Sequence, residues 1–476
     1  MKLEVDLHKY KKITDDSREV IPSSIFVAIK GFASDGHDYI KAAIDNGATL
    51  VIADSRYYKK NSNTIPNKVE LLLVEDSKSA FGILASKIYK LPKNIVGVTG
   101  TNGKTSTTYF YKQIIELLGQ NSASIGTLGV ISSKNAAFFK KIDTITTPGI
   151  SQMYYILSQL AENGVDNVAI EVSSHGLDQK RLDGIKFNAG AFTSFSQDHL
   201  DYHETMDKYL EAKLRFFSDV LPKNSPVVIN SDMDVSDKVI SVCKAKGHRV
   251  FTYGFNGKYI KILSINYLNH ATEVDVLMED KKITIHLPII GEFQVNNILC
   301  AMSLAIQSGF KKEDCLKALE KLKPVPGRME LVKENIIVDY AHTHDALEKV
   351  IHSIRAVMSS GRLIVLFGCG GDRDKKKRKL MGEVVDQLAD LAIITDDNPR
   401  TEDPESIRAE IKKYCHKGIV VGGRREAIQK AIELKEKEDF LLIAGKGHEN
   451  YQIIGKEKFD FDDVEISKEL LNLIRK

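Results

Sequence analysis

Short apolar runs of strand length, separated by stretches with helical spacing, recur along most of this chain. In the middle third the runs are Ile95–Thr99, Asn167–Val172, Ala189–Phe195, Val227–Asn230 and Arg249–Tyr253, and helical patterns follow most of them. Strands alternating with helices predict a parallel α/β sheet. The stretch Tyr259–Leu287 reads as antiparallel strands added to that sheet, and Glu292–Ser308 as a helix. A second alternation, over Ile336–Val338, Leu363–Phe367, Leu391–Thr395, Gly418–Val421 and Phe440–Ala444, predicts a smaller doubly wound unit of Rossmann-like form. The first 89 residues carry shorter β-rich runs, Ser24–Ile29 and Ala48–Ala53. Leu91-Pro92-Lys93 reads as a linker, and Pro324-Val325-Pro326-Gly327-Arg328 as a stiff second connector. The expected architecture is α/β in three domains, 1–90, 91–325 and 326–476, with no internal repeat and no low-complexity tract.

Composition narrows the class. A chain of 476 residues exceeds one core. A net charge of +3 suggests neither a nucleic-acid-binding field nor an acidic tail. Cys243, Cys300, Cys315, Cys369 and Cys415 stand far apart without a CxxC pair, which argues against zinc and a disulfide frame and for a reducing compartment. The opening residues, Met1 to His8, are acidic in part and lack an apolar core, so no signal peptide is expected; no run reaches membrane-spanning length. A cytoplasmic monomer is expected.

The chemistry concentrates at strand ends. Asn94 to Ser106 is an apolar strand, a glycine-rich turn and Lys104-Thr105 opening a helix. That order is a phosphate-binding loop: backbone N–H groups of Gly100, Thr101, Asn102 and Gly103 face phosphate oxygens, Lys104 adds charge, and the Thr105 hydroxyl can hold magnesium. The glycine spacing is not the common one, since Val98 stands six residues before Lys104. The central unit is therefore expected to be a P-loop, parallel-sheet ATPase domain.

Glu171 ends a buried strand beside that loop and is a candidate magnesium ligand or a helix cap. Asp198-His199-Leu200-Asp201-Tyr202-His203 packs two carboxylates and two imidazoles into one loop, fit for metal binding, proton transfer or a polar turn. Lys213, inside an expected helix from Glu204 to Phe217, reads from its spacing alone as a solvated surface residue. Gly368 to Asp374 is a second glycine loop carrying Arg373, with Arg378 less clearly involved. Asp396-Asp397-Asn398-Pro399-Arg400 offers carboxylate, amide and guanidinium, enough to grip an amino acid, although it is also ordinary turn chemistry. Gly445-Lys446-Gly447-His448-Glu449 allows close approach and either offers a carboxylate to an ammonium or is a plain strand-to-loop turn.

In order along nearly the whole chain, these motifs resemble the Mur ligase family, and within it the branch that adds diaminopimelate in peptidoglycan synthesis. Asp16-Ser17-Arg18, Phe26 to Gly31 and Asp35 to Asp38 resemble its UDP-binding N-terminal part; Gly97 to Ser106 matches its ATP loop, glycine spacing included; Thr146-Thr147-Pro148, Glu171 to Gly176, Asp198 to His203, Asp339 to His342, Gly368 to Asp374, Asp397 to Arg400 and Gly445 to Glu449 follow in family order. The resemblance implies an ATP-dependent carbon–nitrogen ligase of EC 6.3.2 type. Its substrates would be UDP-N-acetylmuramoyl-L-alanyl-D-glutamate and meso-2,6-diaminopimelate, joined through an acyl phosphate.

The resemblance also implies roles. Lys213, in the context Tyr209 to Lys213, would be carbamylated by CO2 and hold Mg2+ with Thr105, Glu171 and His199. ATP would contact Gly100 to Ser106, Asn297 and Arg328, with Asn230 near the adenine. Ser17, Thr146, Thr147, Ser173, Gln179 and Arg181 would contact the UDP-sugar dipeptide. Arg373, Asp397, Asn398, Arg400, Gly445 and Glu449 would hold diaminopimelate, Arg400 taking the distal carboxylate that L-lysine lacks. Lanthionine has the same two amino-acid ends and fits the same motif. His203 or a nearby carboxylate is a candidate proton acceptor, and His342 a contributor from across the connector. His344 and Lys379 stand where the family often has proline; altered local packing is expected there, not another reaction. A folate polyglutamate synthase or a cyanophycin synthetase is disfavoured by Arg400 and the N-terminal part, and a non-catalytic scaffold by the presence of Lys104, Glu171 and Lys213.

Overall fold

The computed structural model describes residues 5–31, 34–58, 68–142, 145–268 and 271–474. The opening tetrapeptide of the N-terminal reading, Met1 to Glu4, lies outside them. Three main sheets follow one another along the chain. The first has four parallel strands, Lys12–Thr14, Ser24–Val27, Ala48–Asp54 and Glu70–Val74, in sequence order.

The second sheet has ten strands. Its parallel centre places Asn94–Thr99 between Asn167–Glu171 and Ala189–Phe192. In register, Val98 faces Glu171 on one side and Ala191 on the other, so three loops emerge side by side at one sheet end. Outward from Ala189–Phe192 lie Pro226–Asn230 and Arg249–Gly254, then the expected meander Ile260–Leu268, Ala271–Met278 and Lys281–Leu287; in that meander the first strand joins the sheet parallel and the other two antiparallel. The opposite edge is the hairpin Ser122–Gly126 and Gly129–Ser132.

Alternation divides the core between the two faces of this sheet. Ile95 packs with the helix Ile150–Glu162 through Met153 and Leu157, while Val96 and Val98 pack with the helices Lys104–Leu117 and Glu292–Gln307 through Phe110 and Ile298. Strands buried on both faces read as continuous apolar runs, which is why their positions are readable.

The third sheet orders its strands Glu330–Lys333, Ile336–Asp339, Phe440–Ala444, Leu363–Phe367, Leu391–Ile394 and Gly418–Val420, all parallel except the first. One face is covered by the helices His344–Val357, Lys376–Leu388 and Pro404–Lys412, the other by Arg424–Leu434 and Asp463–Ile474. A hairpin, Tyr451–Ile454 with Glu457–Asp460, stands beside it.

Two expected elements differ. The strand after Ala189 stops at Phe192. The helix expected from Glu204 starts at Met206 because Glu204 takes a left-handed φ of 66° and the Thr205 hydroxyl caps the Lys208 N–H; it then loosens into one π turn over Phe216–Val220. His344 opens its helix behind the Thr343 cap, and Lys379 reaches the Tyr414 ring, 5.5 Å from its centroid. All five cysteines are buried and free.

Candidate active site

The loop after Thr99 is held from the neighbouring strand. Thr101 N–H donates to the Ser194 carbonyl at 2.8 Å, Asn102 N–H to the Ser194 hydroxyl at 2.8 Å, and the Thr193 hydroxyl to the Asn102 carbonyl at 2.6 Å. Lys104 turns its ammonium inward, donating to the Gly100 and Thr101 carbonyls at 2.9 and 2.7 Å. Burial lowers its pKa; Glu171 and Asp198 oppose that shift. Thr105 and Ser106 are buried at the start of the helix. Asn297, on Glu292–Gln307, lines the same space, its amide nitrogen 3.1 Å from Gln294 Oε1. From beyond the second connector, Arg328 brings Nη2 to 3.4 Å from Thr105 Oγ1 and lays its guanidinium over the Tyr340 ring at 4.3 Å.

Glu171 is 1 % exposed. Its carboxylate accepts the Thr127 N–H at 2.8 Å and the Thr127 hydroxyl at 3.1 Å. Burial raises its pKa, against the pull of Lys104 and the Thr127 N–H. A Cβ on Gly126 would lie 2.0 Å from Glu171 Oε1, so only glycine leaves this carboxylate its place.

Lys213 is not the surface residue its spacing suggested. It is 1 % exposed, donates to the Gly100 carbonyl at 2.7 Å and sits 4.5 Å from the Tyr209 ring centroid. Burial first, and Lys104 second, push its pKa well below that of a free lysine.

His199 takes a left-handed φ of 54°, with Nε2 3.5 Å from the Asp198 carboxylate and its ring edge-on to His175 at 4.8 Å. Burial brings its pKa down to about 3, against Asp198, so the imidazole is neutral and can act as a ligand. Among the described residues no three His, Cys, Asp or Glu side chains converge as a metal cluster. The side chains of Thr105, Glu171 and His199 line the same cleft and offer a hydroxyl, a carboxylate and an imidazole. The two oxygen donors suit a hard cation that keeps several waters or phosphate oxygens.

Thr146, Thr147, Ser173 and Arg181 line the cleft beside Glu171. Thr147 donates its hydroxyl to the Glu171 carbonyl at 2.7 Å and receives the Ser173 N–H at 3.0 Å; Arg181 donates to the Thr147 carbonyl at 2.7 Å. Gln179 stands behind the wall, its carbonyl oxygen taking Arg181 at 2.6 Å. Ser17 is also away from the cleft, buried in the first unit with its carbonyl taking Asn46 at 2.9 Å. His203 does not line the cleft either: its Nε2 pairs with the Ser174 hydroxyl at 2.9 Å.

The opposite wall comes from the third sheet. In register, Asp339 faces Ala444, Leu366 faces Ile443 and Phe367 faces Ile394, so the loops after these strands meet at one end. Arg373, Asp397, Asn398, Arg400, Gly445 and Glu449 all line the same cleft of about 1940 Å³ as the phosphate loop. Arg400 is fixed by its N–H to the Ile453 carbonyl at 3.1 Å and by Nη1 to the Gly371 carbonyl at 2.9 Å. His342 lines the cleft, with Nδ1 2.9 Å from the Tyr340 carbonyl. Arg378 lies behind the wall, clasping Glu402 and Glu410 at 2.8 to 2.9 Å.

Sequence reasoning missed the residues that tie the walls together. Asp345 accepts Asn102 Nδ2 at 2.9 Å and the Ser196 hydroxyl at 3.0 Å, and Lys377 reaches Asp198 at 2.7 Å. It also missed Thr127, whose only signal is a Gly-Thr-Leu-Gly turn between short runs of small residues.

A parallel α/β sheet with a lysine-bearing phosphate loop, closed against a doubly wound unit that presents arginine, amide and carboxylate, defines an acid–amino-acid ligase of the nucleotide-dependent kind. The chain belongs to the Mur ligase family. Three family profiles match it in order: "Mur ligase family, catalytic domain" over residues 9–89, "Mur ligase middle domain" over 98–305 and "Mur ligase, glutamate ligase domain" over 327–447. The chain is similar to the UDP-N-acetylmuramoyl-L-alanyl-D-glutamate–2,6-diaminopimelate ligase of Rickettsia bellii, 43% identical over 465 residues that cover 97% of this chain and 95% of that one. It is 41% identical to the protein of the same name from Agrobacterium fabrum, over 95% of this chain and 91% of the relative. A solved structure of such a ligase superposes with a TM-score of 0.71 at 31% identity, covering 100% of this chain and 98% of the other.

Proposed function

We infer that this protein is the ATP-dependent ligase that adds meso-2,6-diaminopimelate to UDP-N-acetylmuramoyl-L-alanyl-D-glutamate in peptidoglycan synthesis. The observation that carries the reading is that one cleft holds both the Lys104 loop and the Arg400, Asn398 and Glu449 cluster. The names of the relatives point to the same substrates. In this reading 1–90 receives the UDP end, 91–325 the ATP and the dipeptide, and 326–476 the amino acid.

The D-glutamate side-chain carboxylate attacks the γ-phosphorus of ATP, the bond to the β-phosphate oxygen breaks, and an acyl phosphate with ADP results. The diaminopimelate amine then attacks the acyl carbon, the carbon–oxygen bond to phosphate breaks and the nitrogen gives up one proton, to leave an amide, inorganic phosphate and a proton released to solvent. Lys104 and Arg328 would offset the charge of the moving phosphoryl group from two sides. Gly100 to Ser106 and Asn297 would hold the nucleotide. Magnesium, when bound, would offset phosphate charge further; Thr105, Glu171, His199 and Lys213 as a carbamate would hold it. The buried, depressed Lys213 supports that modification, because the neutral amine is the form that takes up CO2.

Thr146, Thr147, Ser173 and Arg181 would orient the dipeptide, with Gln179 steadying Arg181 and Ser17 on the UDP side. Arg400 and Arg373 would meet the distal carboxylate of diaminopimelate, and Asp397, Gly445 and Glu449 its ammonium. Lanthionine would make the same contacts; L-lysine would leave Arg400 unpaired.

A phosphate-release assay tests the reading. Phosphate is expected only when ATP, the UDP-sugar dipeptide and diaminopimelate are all present; release without the dipeptide overturns it.

A further inference from the structure

Lys446 lies between the residues just assigned to the amino acid and has been given no role. It follows the strand Phe440–Ala444 by two residues and is fully enclosed, at 0 % exposure. Its ammonium has two oxygen partners, Asn398 Oδ1 at 3.2 Å and Glu449 Oε2 at 3.1 Å, and lies 5.5 Å from the Tyr451 ring centroid. A cation taken out of water needs such partners; here both belong to the wall of the cleft.

The consequence falls on Asn398, itself 3 % exposed. Its Oδ1 accepts two hydrogen bonds, from Lys446 and from the Ile453 N–H at 2.9 Å. Its Nδ2 donates to Glu449 Oε2 at 3.0 Å. An amide oxygen has two acceptor sites and an amide nitrogen two hydrogens. With Oδ1 doubly occupied, one N–H is what Asn398 has left for a ligand. Both bonds to Glu449 fall on Oε2, leaving Oε1 to meet an ammonium. The amide's orientation follows from this network, since two donors face one of its ends and an acceptor the other.

We propose that Lys446 is a specificity-determining positioning residue: it locks Asn398 as a hydrogen-bond donor, and so selects a diamino acid with a second carboxylate over one without it. The claim rests on reading this cleft as the amino-acid site. Arg400 supplies the charge that a distal carboxylate meets; Lys446 decides the polarity of the amide beside it. Without Lys446, one acceptor site of Oδ1 opens and Glu449 loses its internal counter-charge. Both changes favour a cationic group over a carboxylate.

The full-length protein with Lys446→Met tests this, with Lys446→Gln run in parallel because it keeps a polar head while removing the charge. In both, KM for diaminopimelate should rise about 10- to 100-fold, and the preference in kcat/KM for diaminopimelate over L-lysine should fall by at least about tenfold. KM for ATP and for the dipeptide should stay within about twofold. A folded variant that keeps its KM for diaminopimelate, or keeps its preference over lysine, overturns the proposal. So does a loss shared equally with ATP and the dipeptide, which a merely structural role would give. If the unsubstituted enzyme releases no phosphate with diaminopimelate, it is the assignment of the cleft that fails.

Discussion

Two lysines point their ammonium groups at the same carbonyl, that of Gly100, Lys104 from 2.9 Å and Lys213 from 2.7 Å. Burial lowers the pKa of both, and Lys104 lowers that of Lys213 further. In the proposed reaction the loop lysine would face phosphate and the deeper one would take up CO2. Lys104→Ala should abolish phosphate release with all substrates present. Arg400→Ala should chiefly raise KM for diaminopimelate, and an unchanged value in steady-state kinetics would refute the carboxylate argument. A third residue-scale test leaves every functional group in place. Gly126→Ala would put a methyl group 2.0 Å from Glu171 Oε1 and push the carboxylate aside. Activity or magnesium affinity should fall about 10- to 100-fold, read as a shift of the magnesium dependence of kcat; an unshifted dependence would remove Glu171 from the metal site.

At the scale of elements, the third sheet's loops are braced by charge. Glu402 accepts the Asp372 N–H at 2.6 Å and clasps Arg378, so it ties the glycine loop to the turn after Arg400. Although burial works against it, the Asp372 N–H, Arg378 and Lys375 hold its carboxyl at about 2, below the ordinary 4.5. A depressed carboxyl stabilises the fold above its unfolded pKa, and this contribution is lost as pH falls through the folded one. Glu402→Gln should therefore melt earlier than the parent at pH 7, and the gap should close between about pH 4.5 and 2; a gap constant over that range in thermal melts would contradict the ion-pair account. Much at this scale was legible in the sequence. Strands such as Leu363–Phe367 and Phe440–Ala444 are apolar on both faces, and their following loops carry charged residues. The strand Ser122–Gly126 was not, because Ser-Ala-Ser-Ile-Gly is fully buried without an apolar run. The burial of Lys213 was equally hidden, since it depends on a carbonyl 113 residues away. Of the residues the family pattern implied, those lining the cleft share it because parallel strands end together, whereas Ser17 and Gln179 stand outside it.

Across the whole molecule, Asp345 is one of the residues that join the nucleotide half to the amino-acid half. It bridges Asn102 and Ser196 while holding Lys349 at 2.8 Å. Asp345→Ala should raise KM for ATP roughly three- to tenfold and increase the radius of gyration of the ligand-free protein in X-ray scattering; an unchanged scattering curve would remove this residue from domain closure. The connector contributes a second join. Gly327 takes a φ of 64°, and a Cβ there would stand 2.1 Å from the His448 nitrogen, so its backbone lies against the backbone of the Gly445–Glu449 loop. The next residue is Arg328, which reaches Thr105. A single peptide joint thus links the arm proposed to meet the triphosphate to the loop proposed to hold the incoming amino acid. Any change that filling one pocket makes in the affinity of the other is returned by the same factor, and titration calorimetry of diaminopimelate with and without a nucleotide analogue would measure that shared free energy directly.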